Sequence, residues 1–114
     1  MTDAVDSLSK EGEITITFHK RDGKERTIPI WFALEGSKVQ MLPMYGSKTK
    51  WFLDVEKAGR MEIRAGGFSR IASPKVVRDA NDIEEIKARF AKKYGEAEVQ
   101  RYYAKQDVAV EAAL

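Results

Sequence analysis

Two short runs in which apolar and polar residues alternate stand in the first third of the chain. Residues 14–18 read Ile-Thr-Ile-Thr-Phe, and residues 28–34 place Ile, Ile, Phe and Leu at every second position. A period of two is typical of strands that bury one face. The Asp22-Gly23 pair between the runs favours a tight primed turn, because glycine reaches positive φ without steric cost. The pattern predicts an antiparallel hairpin.

Further strands are predicted on both sides of a central helix. Residues 38–44 form a third apolar-rich run, and residues 61–65 and 68–77 alternate again around a Gly-Gly turn. Proline lacks the donor that a central ladder needs, so we expect the last of these strands to bend, or to lie at a sheet edge, near Pro74. Residues 107–111 fit a short closing strand and, because of their alanines, almost equally a helix.

Helices are predicted where apolar residues recur every three or four positions between capping residues. They are residues 48–58 between Ser47 and Gly59, residues 82–94 between Asn81 and Gly95, and residues 96–105. The second helix carries one apolar stripe through Ile83, Ile86 and Phe90, which indicates one buried face. Residues 1–12 are a polar segment to which we assign no function.

A run of strands that one helix interrupts and further helices complete indicates an α+β fold that is mainly β. We expect one domain over residues 1–114, an antiparallel barrel of about six strands with one inserted helix and C-terminal helices. Trp31 and Ala33 lie on the strand face opposite Phe32, so burial on both faces is expected, from a closed barrel or a partner. A second copy would cover this aromatic patch, which predicts a homodimer.

Composition narrows the classes of function. The chain has no cysteine and one histidine, which excludes disulfides, thiolate or His-rich metal sites and a cysteine nucleophile, and suits the cytoplasm. A net charge of +2 is too balanced to predict nucleic-acid binding. No apolar run approaches the ~18 residues of a membrane span, and we find no secretory signal. No acid, base and nucleophile stand in a recognisable pattern, so we assign no catalytic residue.

Basic and aromatic residues gather in one stretch. The predicted hairpin turn carries Lys20, Arg21, Lys24 and Arg26. These cations form either a solvated tip or an anion cradle. Ser47, Lys48 and Lys50 at the predicted helix start add a hydroxyl, two ammonium groups and free backbone N–H groups, which suit an anion. Trp31, Tyr45 and Trp51 lie in the same stretch, as core residues or as a flat bed for a ring.

The same stretch resembles a known family. Residues 20–32 read Lys-Arg-Asp-Gly-Lys-Glu-Arg-Thr-Ile-Pro-Ile-Trp-Phe. They resemble the Gly-Arg-x-Ser-Gly-x-x-Arg-x-x-Pro-Leu stretch of the deazaflavin-dependent nitroreductase family, within the FMN-binding split-barrel, pyridoxamine-phosphate-oxidase-like superfamily. Residues 51–55 are similar to that family's Trp-Tyr-x-Asn-Leu helix, and residues 60–64 to its next strand. The resemblance implies a split antiparallel β-barrel.

The resemblance also implies a function. It points to an oxidoreductase that binds FMN or a deazaflavin coenzyme and transfers a hydride to a small electron-poor substrate, in a cleft that two subunits form. The cofactor supplies the chemistry in such an enzyme, and the protein supplies orientation and electrostatics. The expected cofactor-binding residues are Lys20, Arg21, Lys24, Arg26, Pro29, Trp31, Tyr45, Ser47, Lys48 and Trp51.

A second function is compatible with the same fold. Asp22 and Glu25 add negative charge beside the expected phosphate, Asp54 replaces the family's Asn, and the loop before Trp51 is shorter than usual. These departures favour a binding or interaction protein that has lost the cofactor and holds another anionic ligand or a partner protein.

Overall fold

The computed structural model describes residues 8–103 and 106–114. In chain order the elements are β1 (Ile14–His19), β2 (Glu25–Ile30), β3 (Ala33–Glu35), β4 (Lys38–Met41), a short 3-10 helix (Gly46–Lys48), α1 (Lys50–Ala58), β5 (Met61–Ala65), β6 (Phe68–Ala72), β7 (Pro74–Val77), α2 (Ala80–Tyr94), α3 (Glu96–Tyr102) and β8 (Ala109–Ala113).

The strands form two four-stranded antiparallel sheets. Their orders are β2-β1-β5-β6 and β3-β4-β8-β7. The chain changes sheet after β2, after β4 and after β6. The first and last of these changes fall within the predicted runs 28–34 and 68–77, so each run divides into two strands. This division explains why eight strands replace the expected six. The split-barrel α+β fold is confirmed, Pro74 lies on an edge strand as expected, and the closing segment is a strand.

The hairpin between β1 and β2 has a longer loop than predicted. The Lys20 N–H donates to the Lys24 carbonyl at 2.8 Å, and the Gly23 N–H donates to the Lys20 carbonyl at 2.9 Å. Gly23 has a φ of 87°, whereas Asp22, like every other described residue that is not a glycine, has no positive φ. A primed two-residue turn needs a positive φ at its first central residue, here Asp22, so the prediction of such a turn is wrong. Asp22 stays at negative φ, and its carboxylate accepts the Lys24 N–H at 2.9 Å.

Helix α1 begins two residues later than the sequence suggested. Its N-cap is Thr49, whereas Ser47 lies in the 3-10 helix. Asp107 explains the difference, because its carboxylate accepts the Ser47 hydroxyl at 2.6 Å and the Ser47 N–H at 2.8 Å. The predicted role of Ser47 as N-cap is wrong. Gly59 ends α1 at a φ of 74°, as expected.

Helix α2 also begins earlier than predicted. Its N-cap is Asp79 instead of Asn81, and one Asp79 oxygen accepts the N–H groups of Asn81 and Asp82 at 2.9 and 3.0 Å. Aspartate satisfies two of the N–H groups that a helix start leaves unpaired.

The corner between β2 and β3 is held by the end of α2. Leaving one sheet for the other removes the Phe32 backbone from both ladders. The Phe32 N–H donates to the Tyr94 hydroxyl at 3.0 Å, and the Lys93 ammonium donates to the Phe32 carbonyl at 3.1 Å. The Tyr94 hydroxyl in turn donates to the Gly12 carbonyl at 2.7 Å. Buried backbone groups thereby keep partners where no strand supplies them.

Two clusters of buried side chains fill the molecule. The first joins both sheets to α1 and includes Ile16, Val39, Phe52, Ile63 and Val110. The second packs α2 and α3 on the outer side of the second sheet and includes Ala33, Ile86, Phe90, Val99 and Ala109. Burial of apolar area in both clusters supplies the main stabilisation.

The cover over Trp31 and Ala33 comes from the chain itself. Ala33 is buried in the second cluster, and the Trp31 ring stacks on Tyr94 with centroids 4.2 Å apart and planes 8° apart. The C-terminal helices therefore replace the partner that the sequence pattern suggested. The homodimer stays a prediction, but this patch no longer supports it.

Replacing Tyr94 by Phe tests the corner. We expect Tyr94→Phe to lower the free energy of unfolding by about 1–3 kcal/mol, because it keeps the stack on Trp31 but leaves the Phe32 N–H without its acceptor. Urea unfolding measures the change. Tyr102→Phe is the control, since the Tyr102 hydroxyl has no hydrogen-bond partner in the described parts of the chain. Equal, small losses for both variants would contradict the role of the corner bond.

Candidate functional site

An apolar cavity of about 390 Å³ opens beside the corner. We call it the aromatic cavity. It is lined by Glu13, Ile28, Pro29, Ile30, Trp31, Leu42, Met44, Tyr45, Thr49, Trp51, Tyr102 and Tyr103. A cavity of this size with a few polar groups suits a ring of drug size.

Four parts of the chain bring the aromatic rings of the cavity together. Trp31 lies at the corner after β2, and Tyr45 lies in the loop that follows β4. Trp51 belongs to the first turn of α1, while Tyr102 and Tyr103 lie at the end of α3. The Trp31 ring meets Tyr94 face to face and Tyr102 edge-on at 5.7 Å, so neighbouring rings restrict its rotation.

The lining of the aromatic cavity includes four residues with a hydroxyl group, Tyr45, Thr49, Tyr102 and Tyr103. The Thr49 hydroxyl accepts the Tyr45 N–H at 2.9 Å, which ties the loop to the start of α1. Burial raises the pKa of Tyr103 to about 12, with Tyr94 and Tyr102 as further contributors. The Tyr103 hydroxyl therefore keeps its proton at neutral pH and serves as a hydrogen-bond donor.

A second concavity, about 540 Å³ in volume, lies between the β1–β2 loop and α1. We call it the cationic cleft. It is lined by Lys20, Arg21, Asp22, Arg26, Lys50 and Asp54. Four cations against two carboxylates leave an excess of two positive charges.

The carboxylates of the cationic cleft are already engaged. Lys20 lies 3.6 Å from Asp22, and Arg21 Nε lies 3.4 Å from the buried Asp54. The Lys24 N–H and then the Lys20 ammonium lower the pKa of Asp22, so that carboxyl is ionised at neutral pH. Arg26 and Lys50 make no ion pair within residues 8–103 and 106–114. These two cations are free to bind an anion.

The aromatic cavity and the cationic cleft share two elements. Strand β2 gives Arg26 to the cleft and Ile28 and Ile30 to the cavity, and all three project from the same face because they pair with Phe18, Ile16 and Ile14. Arg26 is about 7 Å along the strand from Ile28. Helix α1 gives Lys50 to the cleft and Trp51 to the cavity. A ligand with a flat ring and an anionic end fits this arrangement.

Comparison with known protein families identifies the family of this chain. Residues 4–113 match the family described as "Uncharacterized protein conserved in bacteria (DUF2255)". The chain belongs to this DUF2255 family. No curated protein matches the sequence.

Solved structures share the fold of this DUF2255 chain. An F420-H2 dependent reductase (FDR-A) superposes with a TM-score of 0.70 at 17% identity, covering 90% of this chain and 94% of its own. A structure described as a domain-swapped dimer gives 0.71 at 16% identity, over 90% and 80%. The heme storage protein HutZ from Vibrio cholerae gives 0.66 at 12% identity, over 92% and 82%. These likenesses confirm the predicted split-barrel fold.

The structure distributes the predicted site residues of this DUF2255 protein over three places. Pro29, Trp31, Tyr45 and Trp51 line the aromatic cavity, and Lys20, Arg21 and Arg26 line the cationic cleft. Lys24, Ser47 and Lys48 line neither. Lys24 pairs with Lys20 where the loop joins β2, Ser47 is bound to Asp107, and Lys48 precedes α1 in the 3-10 helix.

Sequence reasoning missed several lining residues. The main ones are Glu13, Thr49, Tyr102 and Tyr103 in the aromatic cavity, and Asp54 in the cationic cleft. Tyr102 and Tyr103 carried only a helix-packing signal, because nothing in their spacing shows which strand the helix will meet. Lys50, expected at the helix start, lines the cationic cleft and directly follows the N-cap Thr49.

Two absences are limited to the described part of the chain. It contains no helix long and apolar enough to cross a membrane. Nor does it bring three His, Asp or Glu side chains together as a metal site would require.

Tyr103→Phe tests the environment of the hydroxyl through alkaline stability. An unfolded tyrosine ionises near pH 10 and the folded Tyr103 near 12, so its contribution to stability is complete below pH 10 and is lost as the pH rises toward 12. We expect wild type to lose roughly 1 kcal/mol relative to Tyr103→Phe between pH 9 and pH 11. Urea unfolding at both pH values measures this. Parallel pH profiles of the two proteins would show that the hydroxyl is well solvated.

Proposed function

We propose that this DUF2255 protein is a flavin- or deazaflavin-dependent oxidoreductase that acts on a small electron-poor substrate. The observation that carries the proposal is that β2 and α1 each contribute side chains to both the aromatic cavity and the cationic cleft. A cofactor of this class has a flat ring at one end and a phosphate group beyond it, and the two concavities offer a matching bed and cradle.

The aromatic cavity suits the ring. Trp31 is braced by Tyr94, so little side-chain freedom is lost when a second ring packs against its free surface. Ile28 and Ile30 exclude water from one wall, and the protonated Tyr103 hydroxyl offers a donor to a ring carbonyl or nitrogen.

The cationic cleft suits the phosphate. Arg26 projects from a paired position of β2, opposite Phe18, and not from the loop. A guanidinium held there binds two phosphate oxygens at once, while the Lys50 ammonium adds a second charge from α1. Asp22 and Asp54 are occupied by Lys20 and Arg21, which reduces their repulsion of an anion.

The chemistry expected of such a protein is hydride transfer, which the reduced cofactor supplies when it is bound. The residues of the chain orient the ring, hold the phosphate and keep water from the reacting face. This division of labour accounts for a site whose lining contains no histidine, cysteine or lysine beside the rings. The cytoplasmic location expected from the composition stays a prediction.

A second candidate is a binding protein that holds a different ligand on the same fold. Asp54 favours it, because a buried carboxylate within the cationic cleft lowers the affinity for a phosphate. The fold likeness to a protein described as a heme storage protein supports this candidate. Ring absorbance of the purified protein after titration with FMN and with the deazaflavin coenzyme separates the two candidates.

Arg26 and Lys50 provide the mutational test of the cationic cleft. We expect Arg26→Lys to weaken FMN or deazaflavin binding by about 1–2 kcal/mol although charge is preserved, because an ammonium cannot make the paired contact. Lys50→Ala should weaken binding by a similar amount. Fluorescence titration measures both affinities.

Two nearby substitutions are the matched controls for this test. Lys24→Arg and Lys48→Ala change basic residues that lie outside the cleft, and we expect little effect from either. If all four variants bind alike, or if neither cofactor binds the unmodified protein, the cleft is not a phosphate cradle.

We also propose that two copies of the chain associate over the mouth of the aromatic cavity. Met44 and Tyr45 line the cavity and yet remain 41% and 70% exposed. Large exposed apolar side chains next to a cavity are typical of an interface. The domain-swapped dimer among the structures of this fold supports association.

The dimer is tested by sedimentation. We expect a species of twice the 12.9 kDa chain mass at micromolar concentration, and Tyr45→Lys should shift it toward the monomer. Ile71→Lys is the control, because Ile71 is another exposed apolar residue, 58% accessible, on the edge strand β6 away from the cavity. A stable monomer of the unmodified protein, or equal effects of both variants, would contradict the proposal.

A further inference from the structure

We infer that the substrate bound in the aromatic cavity is a flat organic cation and that Glu13 is its counter-ion. Glu13 lines the cavity just before β1, and it is the one Asp, Glu, Lys, Arg or His side chain among the described residues of the lining. This inference rests on the proposed function for the chemistry of the site, and it specifies the class of substrate.

The rings of the cavity form the larger part of a cation site. Trp31, Trp51, Tyr45, Tyr102 and Tyr103 surround the same space. The faces of these rings carry negative potential and attract a cation within about 6 Å, most strongly at tryptophan. A neutral aromatic ligand gains the packing but not this attraction.

Glu13 is available to such a ligand. It makes no salt bridge with any residue in the described ranges, whereas many other carboxylates of the chain do. Its field reaches the ring stack beneath the cavity: burial is the main cause of the raised pKa of Tyr94, and the charge of Glu13 contributes. An unpaired carboxylate beside a group of rings favours cations and disfavours anions.

The same corner already holds one cation over a ring. The Lys93 ammonium lies 3.4 Å from the centroid of Phe32 on the α2 side of the corner. Lys93 donates to the Phe32 carbonyl and does not line the cavity, so it leaves Glu13 unpaired.

Opposite charges at the two ends of the site favour the cofactor at one end and the substrate at the other. The cationic cleft takes the anionic end of the cofactor, and Glu13 takes a positively charged substrate. A pyridinium or iminium group is electron-poor because of its charge. Hydride adds to the carbon of its C=N bond, the π electrons pass to nitrogen, and the product is neutral, while the reduced cofactor is oxidised. The neutral product loses its attraction to Glu13, which favours its release.

The test compares two ligands of the same shape. The 1-methylnicotinamide cation and neutral 3-methylbenzamide differ in one ring atom and in charge, and indole N–H signals of Trp31 and Trp51 in an NMR titration report binding at the cavity. We expect the cation to bind roughly 5- to 10-fold more tightly at low salt, and this preference to decrease as salt rises to about 0.5 M.

Two substitutions test whether Glu13 causes the preference for the cation. Glu13→Gln should reduce the preference to the smaller part that the rings supply and remove most of its salt dependence, while Glu11→Gln, which removes the same charge two residues earlier and outside the cavity lining, should leave it unchanged. Equal affinity of the two ligands for the unmodified protein, or a preference in Glu13→Gln as large as in the unmodified protein, would overturn the inference.

Cofactor titration keeps this result separate from the proposed function. If FMN or the deazaflavin coenzyme binds and no preference for the cation is found, the inference fails and the proposed function stands. If the cation is preferred through Glu13 and neither cofactor binds, the cation site is supported and the oxidoreductase proposal fails.

Discussion

The backbone of Phe32 is the point on which the architecture depends. A strand that leaves one sheet to join another gives up its ladder partners, and unpaired N–H and carbonyl groups in a protein interior cost several times the net value of a hydrogen bond. Tyr94 and Lys93 accept and donate the missing bonds from the end of α2. Because they do so, the barrel can split there, and the C-terminal helices are held against the second sheet.

The position of the aromatic cavity follows from this corner. Tyr94 uses its hydroxyl on the backbone and its ring on Trp31, so one side chain fixes both the strand exchange and the orientation of the tryptophan. Tyr102 and Tyr103 arrive through α3, which follows α2 directly. The cavity therefore combines residues that are up to 90 positions apart, Glu13 and Tyr103, at the place where one strand changes sheet.

The charged residues of the site make its two ends opposite in sign. Arg26 and Lys50 leave one end positive because the other two cations of the cleft are neutralised by Asp22 and Asp54. At the other end Glu13 faces rings instead of cations. A site with opposite signs at its ends orients an asymmetric ligand before any specific contact forms.

Local signals in the sequence determined most of the elements and somewhat less than half of the residues that line the two concavities. Alternation identified β1, β2 and β5, the apolar stripe identified α2, and the motif over residues 20–32 led to the split barrel and to Arg26, Pro29 and Trp31. Tertiary structure decided the rest, because it depends on partners distant in the chain. Asp107 binds the Ser47 hydroxyl, so Ser47 is not the N-cap of α1. Tyr94 binds the Phe32 backbone where the predicted strand divides into two. The C-terminal helices cover Trp31 and contribute Tyr102 and Tyr103 to the cavity. Spacing along the chain specifies which face a residue takes, but not which distant group will meet it there.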